Sequence, residues 1–96
     1  MSENMLEMAH HILLEKFAKA LKEPDCEDDL FFTNTIKAVF EMRLVKEHEF
    51  RNTWAMSRLT LERWKAGESF PHSALRPRIF KWLREKTLEK IASLEN

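Results

Sequence analysis

The chain has 96 residues and weighs 11.5 kDa, which suits one compact domain over residues 1–96 and leaves a two-domain enzyme without room. Hydrophobic residues make up 44% and charged residues 33%, so a core's worth of apolar material sits under a highly charged surface. The 16 Lys/Arg and 16 Asp/Glu cancel, but unevenly: residues 1–50 carry −5, residues 51–90 carry +6 and Glu95 supplies the remaining −1, which makes the second half a basic module.

A single glycine cannot supply the positive-φ positions of hairpins and phosphate-cradling loops, so an all-α fold with short connections is expected. No charge-free stretch approaches the roughly 20 residues needed to span a bilayer, and no basic-then-apolar leader opens the chain. The expectation is a cytoplasmic protein with no membrane partner. Cys26, the sole cysteine, is flanked by Asp25, Glu27, Asp28 and Asp29, which favour a passive thiol in a reducing compartment.

Met5, Leu6, Ala9, Ile12, Leu13, Phe17, Ala20 and Leu21 recur at helical spacing and predict an N-terminal amphipathic helix over residues 3–22. Pro24 and the acidic run to Asp29 separate it from the rest. Ile36, Val39, Phe40, Arg43 and Leu44 form a second stripe, with Thr33 and Asn34 as candidate caps and an end near Leu44. Phe50, Thr53 and Trp54 mark a short helix over about 46–55. Leu61 and Trp64 mark another over about 58–66, capped by Ser57 and stopped by Gly67. Beyond Pro71, Ser73 is a plausible cap for a last helix carrying Leu75, Ile79, Trp82 and Leu83, with Pro77 in its first turn. Leu88, Ile91 and Leu94 continue it out of phase, so this helix either uses two faces or bends near Thr87.

Residues 47–71 read as helix, tight turn, helix. Phe50, Trp54, Met56, Leu61 and Trp64 are placed to fill the wedge between the two helices, which leaves Arg58, Leu59, Glu62 and Arg63 on the outer face of the second. Such a helix fits the major groove of B-DNA, where arginine pairs in bidentate fashion with guanine O6 and N7.

Here the sequence resembles the lambda-repressor-like helix-turn-helix family, also called the xenobiotic-response-element type. Its second motif helix commonly reads S-x-x-T-[IL]-x-x-[WLY]-x-x-G-x-x-x-P, matched by Ser57, Thr60, Leu61, Trp64, Gly67 and Pro71. The resemblance covers residues 34–83. It implies a compact helix-turn-helix domain of about five helices that binds operator DNA as a homodimer, to which the helix over residues 3–22, preceding the family core, is an extra element. By this resemblance Arg58, Leu59 and Arg63 contact bases, with Glu62 at the groove edge, while Thr60, Lys65 and the loop after Gly67, including Ser69, contact phosphates.

Three positions depart from the family pattern. Glu47 stands where a glutamine usually touches a phosphate, which passes that contact to Lys46. Arg51 replaces an alanine and must turn outward, to a phosphate or to Glu47. Ala55 replaces the turn glycine, so the turn is either strained by about 1 kcal/mol or differently shaped.

The implied function is a sequence-specific transcriptional regulator that binds double-stranded DNA and needs no cofactor. The alternative is a protein-interaction module, adaptor or antitoxin-like, on the same scaffold. Arg76, Arg78, Lys81, Arg84 and Lys86 suit phosphate tracking or simple solvation of the last helix equally well. No catalytic set is expected, since His48 and His72 have no nucleophile or carboxylate partner at useful spacing. No metal site is expected either, because the adjacent His10 and His11 point about 100° apart and no Cys or carboxylate completes a set.

Overall fold

The computed structural model describes residues 2–95, with side chains described at Met5 and from Glu7 onward; Met1 and the side chain of Leu6, the latter counted in the first apolar stripe, lie outside the described part. The described residues hold five α-helices and no strand: α1 (Ser2–Ala20), α2 (Asp29–Glu41), α3 (Glu47–Thr53), α4 (Arg58–Ala66) and α5 (Arg76–Glu95). They fall into two compact units, one of residues 25–78 and one of residues 2–24 with 79–95. The stretch 34–83 therefore crosses a unit boundary inside α5.

In the unit of residues 25–78, α2 opens one turn earlier than Thr33 and Asn34 suggest. Asp28 is its N-cap, the carboxylate accepting from the Phe31 N–H at 3.1 Å. Thr33 and Thr35 instead lie buried inside the helix. The early start is favoured because it places Phe32, fully buried, one turn before Ile36 on the same face as Val39. At its other end α2 stops at Glu41 rather than Leu44. Arg43 takes a left-handed φ of 56°, and the Leu44 and Arg43 N–H groups donate back to the Val39 and Phe40 carbonyls at 3.0 and 3.2 Å. This is a Schellman stop built without glycine.

The same device ends the next two helices. Ala55 has φ 50° and the Met56 N–H reaches the Arg51 carbonyl at 3.0 Å; Gly67 has φ 73° and the Glu68 N–H reaches the Arg63 carbonyl at 2.9 Å. Of the two alternatives for Ala55, the left-handed, strained one is therefore found.

The core of this unit is a chain of edge-to-face aromatic contacts linking α2, α3 and α4. Phe32 meets Trp64 at a centroid distance of 5.5 Å, Trp64 meets Phe50 at 6.3 Å and Phe50 meets Phe40 at 5.6 Å. Leu61 and Val39 are buried beside them, and Trp54 and Met56 are half-buried at the turn.

Arg76 fastens the ends of the unit. It is buried, its guanidinium 5.6 and 5.4 Å from the ring centroids of Phe32 and Phe70. It pairs with Asp29 at 2.8 Å and donates to the carbonyls of Cys26 at 3.2 Å and Pro71 at 3.4 Å. Its charge is thus consumed in joining the 25–29 segment to the start of α5. Cys26 is half-buried; burial pushes its thiol pKa up, Asp25 and Glu27 add to that, and the Arg76 charge opposes it.

In the other unit, the buried face of α1 is Leu14 and Ala18, followed by Leu21 just beyond the helix, with Phe17 half-buried. The expected stripe is therefore corrected: Met5, Ala9, Ile12, Leu13 and Ala20 are exposed. Ile12, Leu13 and Leu14 are three consecutive apolar residues, and only Leu14 shares a face with Ala18 and Leu21 at helical spacing.

The buried residues of α5 in this unit are Ile79, Phe80, Leu83, Thr87 and Ile91, so one uninterrupted helix uses one face. The phase jump disappears because Thr87 occupies the missing turn. Its hydroxyl donates to the Leu83 carbonyl at 2.7 Å, which lets a polar residue be wholly buried. Ser73 lies in a turn three residues before α5 and does not cap it.

Candidate nucleic-acid interface

The α3–turn–α4 segment is positioned by the aromatic core beneath it. Ser57 caps α4, its hydroxyl accepting from the Thr60 N–H at 3.1 Å. Leu61 and Trp64 then turn inward and are buried. Helical geometry sends Arg58, Leu59, Glu62 and Arg63 the other way, and all four are exposed, Leu59 to 60%. Among the described residues, neither Arg58 nor Arg63 has an ion pair or a side-chain hydrogen bond. Five residues of helix separate them by about 7.5 Å along the axis, close to two base-pair steps.

The residues expected at phosphates are placed unequally. Lys46 is exposed at the N-cap of α3 and makes no side-chain cap hydrogen bond. Thr60 is half-buried, its hydroxyl 3.0 Å from that of Ser57, so it belongs to the cap. Ser69 is half-buried in the loop after Gly67. Arg51 is half-buried too, with a buried Nε that finds no hydrogen bond among the described residues.

The partner suggested for Arg51, Glu47, is held instead by Lys65 at 2.9 Å. Lys65 also reaches Glu62 at 3.2 Å and lies 5.0 Å from the centroid of the Phe40 ring. The hydrogen bond from Lys65 holds the Glu47 carboxyl below its ordinary pKa, helped by the charges of Lys65, Arg58 and Arg51 against slight burial. Burial works against the Lys65 charge, but its hydrogen bonds to Glu47 and Glu62 outweigh that and raise its pKa. This three-residue link between the ends of α3 and α4 was not visible from sequence spacing, since Glu47 and Lys65 lie 18 positions apart.

Charge is also distributed differently in space than along the chain. The unit of residues 25–78 carries nine Lys/Arg and nine Asp/Glu, so the basic second half does not form a uniformly basic unit. Among the described residues, the positive charge on its α4 face that has no ion pair is that of Arg58 and Arg63.

Comparison of the chain with protein-family models, curated proteins and solved structures finds no match. The resemblance to lambda-repressor-like domains therefore stays an expectation from the sequence, carried by Ser57, Thr60, Leu61, Trp64, Gly67 and Pro71. Ser57 and Gly67 serve as the two ends of α4, and Leu61 and Trp64 form its buried face. No helix among the described residues is long and apolar enough to cross a membrane.

Proposed function

We propose that this chain is a sequence-specific DNA-binding transcriptional regulator of the lambda-repressor-like kind, which lays α4 in the major groove. The carrying observation is the outer face of α4: two exposed guanidinium groups, with no ion pair or side-chain hydrogen bond among the described residues, flank an exposed leucine on a helix whose other face is locked into an aromatic core. Arg58 and Arg63 would pair with guanine edges, and Leu59 would meet a thymine methyl. Lys46 and Arg51 would contact phosphates. One nine-residue helix reaches only a few base pairs, so two copies on neighbouring half-sites, about 34 Å apart, would be needed for specificity. The effect on transcription would follow from occupancy of the operator, with no chemical step.

A second reading, a protein-interaction module on the same scaffold, draws on the charge neutrality of residues 25–78 and on the two carboxylates, Glu47 and Glu62, that hold Lys65 beside α4. Fluorescence anisotropy of a labelled duplex at about 50 and 200 mM salt separates the two. About four cationic contacts predict a roughly 100-fold loss of affinity over that range. Arg58→Ala/Arg63→Ala should abolish most of the binding. No binding at the lower salt, or binding unchanged in the double variant, would reject the DNA reading and favour a protein partner.

A further inference from the structure

A second constellation lies within the unit of residues 2–24 and 79–95, away from α4 in the sequence. His11 on α1 is flanked by two carboxylates: its Nδ1 is 3.3 Å from Glu15 Oε1, one turn further along α1, and its Nε2 is 3.2 Å from Glu95 Oε1, in the last turn of α5. The carboxylates expected to be missing are therefore supplied to His11, one by the i+4 position and one by the far end of α5. His10 lies about 100° round the helix and takes no part.

Proton counting shows what this arrangement asks for. A neutral imidazole has one N–H and one lone pair, so both contacts are hydrogen bonds only when the ring carries a second proton. With the ring neutral, one nitrogen lone pair faces a carboxylate while two negative charges converge on an uncharged group. A divalent cation removes that conflict: it takes the lone pair and the carboxylate facing it, and the glutamate now at the other ring nitrogen turns to complete the set.

We propose that His11, Glu15 and Glu95 form a binding site for a first-row divalent ion of the zinc class. Ligand atoms from the three residues lie within 4.8 Å of one another, whereas a tetrahedral ion with bonds near 2.1 Å needs them about 3.4 Å apart. Both glutamates are more than half exposed, so rotation of their side chains closes the difference while the helices stay in place. The donor set chooses the ion. One imidazole with two carboxylates suits Zn²⁺, Co²⁺ or Ni²⁺, while Ca²⁺ and Mg²⁺ require six or more oxygens. Water takes the fourth position. Glu15 also lines a groove with Lys19, Lys22 and Arg84, whose positive charge opposes a cation and weakens its binding. The bound ion ties the middle of α1 to the last turn of α5.

Isothermal titration of the whole chain with ZnCl2 at pH 7.5 tests the site, with the visible absorption of Co²⁺ as an independent reading of coordination. The expected result is one ion per chain, bound at least tenfold more weakly in His11→Gln and in Glu95→Gln and unchanged in His10→Gln. Both substituted residues are partly or largely exposed, and circular dichroism confirms that each variant keeps its helices. No saturable binding below 1 mM would overturn the proposal, as would binding that changes less than twofold in either His11→Gln or Glu95→Gln. Equal loss in His10→Gln would also overturn it, since the ion would then sit on the neighbouring imidazoles.

Discussion

The two units reach their helices by different means. In residues 25–78 the helices are short, 7 to 13 residues, and their ends are fixed chemically: Asp28 and Ser57 cap two starts, and left-handed residues stop all three. In the other unit α1 runs for 19 residues, leaves Met5 and Met8 73% and 66% exposed and buries only a narrow face. Short helices are held by caps and a shared aromatic core, whereas a long helix tolerates apolar residues on its open side because propagation, once begun, adds one hydrogen bond per residue.

The sharpest way to break this contrast is a pair of truncations. Phe32→Ala removes a fully buried ring that touches Trp64 and Phe70 and stacks under Arg76, and should cost about 3–5 kcal/mol in urea unfolding. Met8→Ala on α1 should stay within about 0.5 kcal/mol. Similar effects for the two would erase the distinction. Arg76→Ala comes next, at about 2–3 kcal/mol, because two carbonyls and Asp29 lose a buried donor. Arg76→Lys should recover little of that loss, since an ammonium cannot cover both rings and reach three acceptors.

The helix stops give smaller effects of opposite sign. Ala55→Gly should stabilise by about 0.5–1 kcal/mol by relieving a left-handed alanine. Gly67→Ala should destabilise by about 1 kcal/mol, because the new Cβ adopts φ 73° and meets Thr33 at 3.4 Å. The smallest effect is electrostatic. Glu47 has a depressed folded-state pKa, so its contribution is present above its unfolded pKa and is lost as pH falls through the folded one. Glu47→Gln should therefore flatten the acid limb of a stability–pH profile slightly, and salt should shrink the difference.

How much of this was legible in the sequence follows from the same contrast. The bounds of α4, its cap and its stop are all local signals, and they hold as read from Ser57, Gly67, Leu61 and Trp64. The start of α2 was misplaced because Thr33 and Asn34 look like caps while Asp28, the real one, lay hidden in an acidic run. The faces of α1 and α5 depended on tertiary choice: three consecutive apolar residues offered α1 no unique face, and Thr87 is polar by composition yet buried by satisfying its own helix. Arg76 and Lys65 were legible as charges but not as structural ones. Their partners come from 47 and 18 positions away and only the fold brings them together.

The proposed interface is tested most directly by an amide chemical-shift map of the labelled chain on addition of a short duplex at low salt. If α4 enters the groove, the largest shifts will fall on Ser57 to Arg63, with Lys46 and Arg51 following and α1 unmoved. Shifts concentrated on α1 or spread evenly over the lysines, with Arg58, Leu59 and Arg63 unchanged, would contradict it.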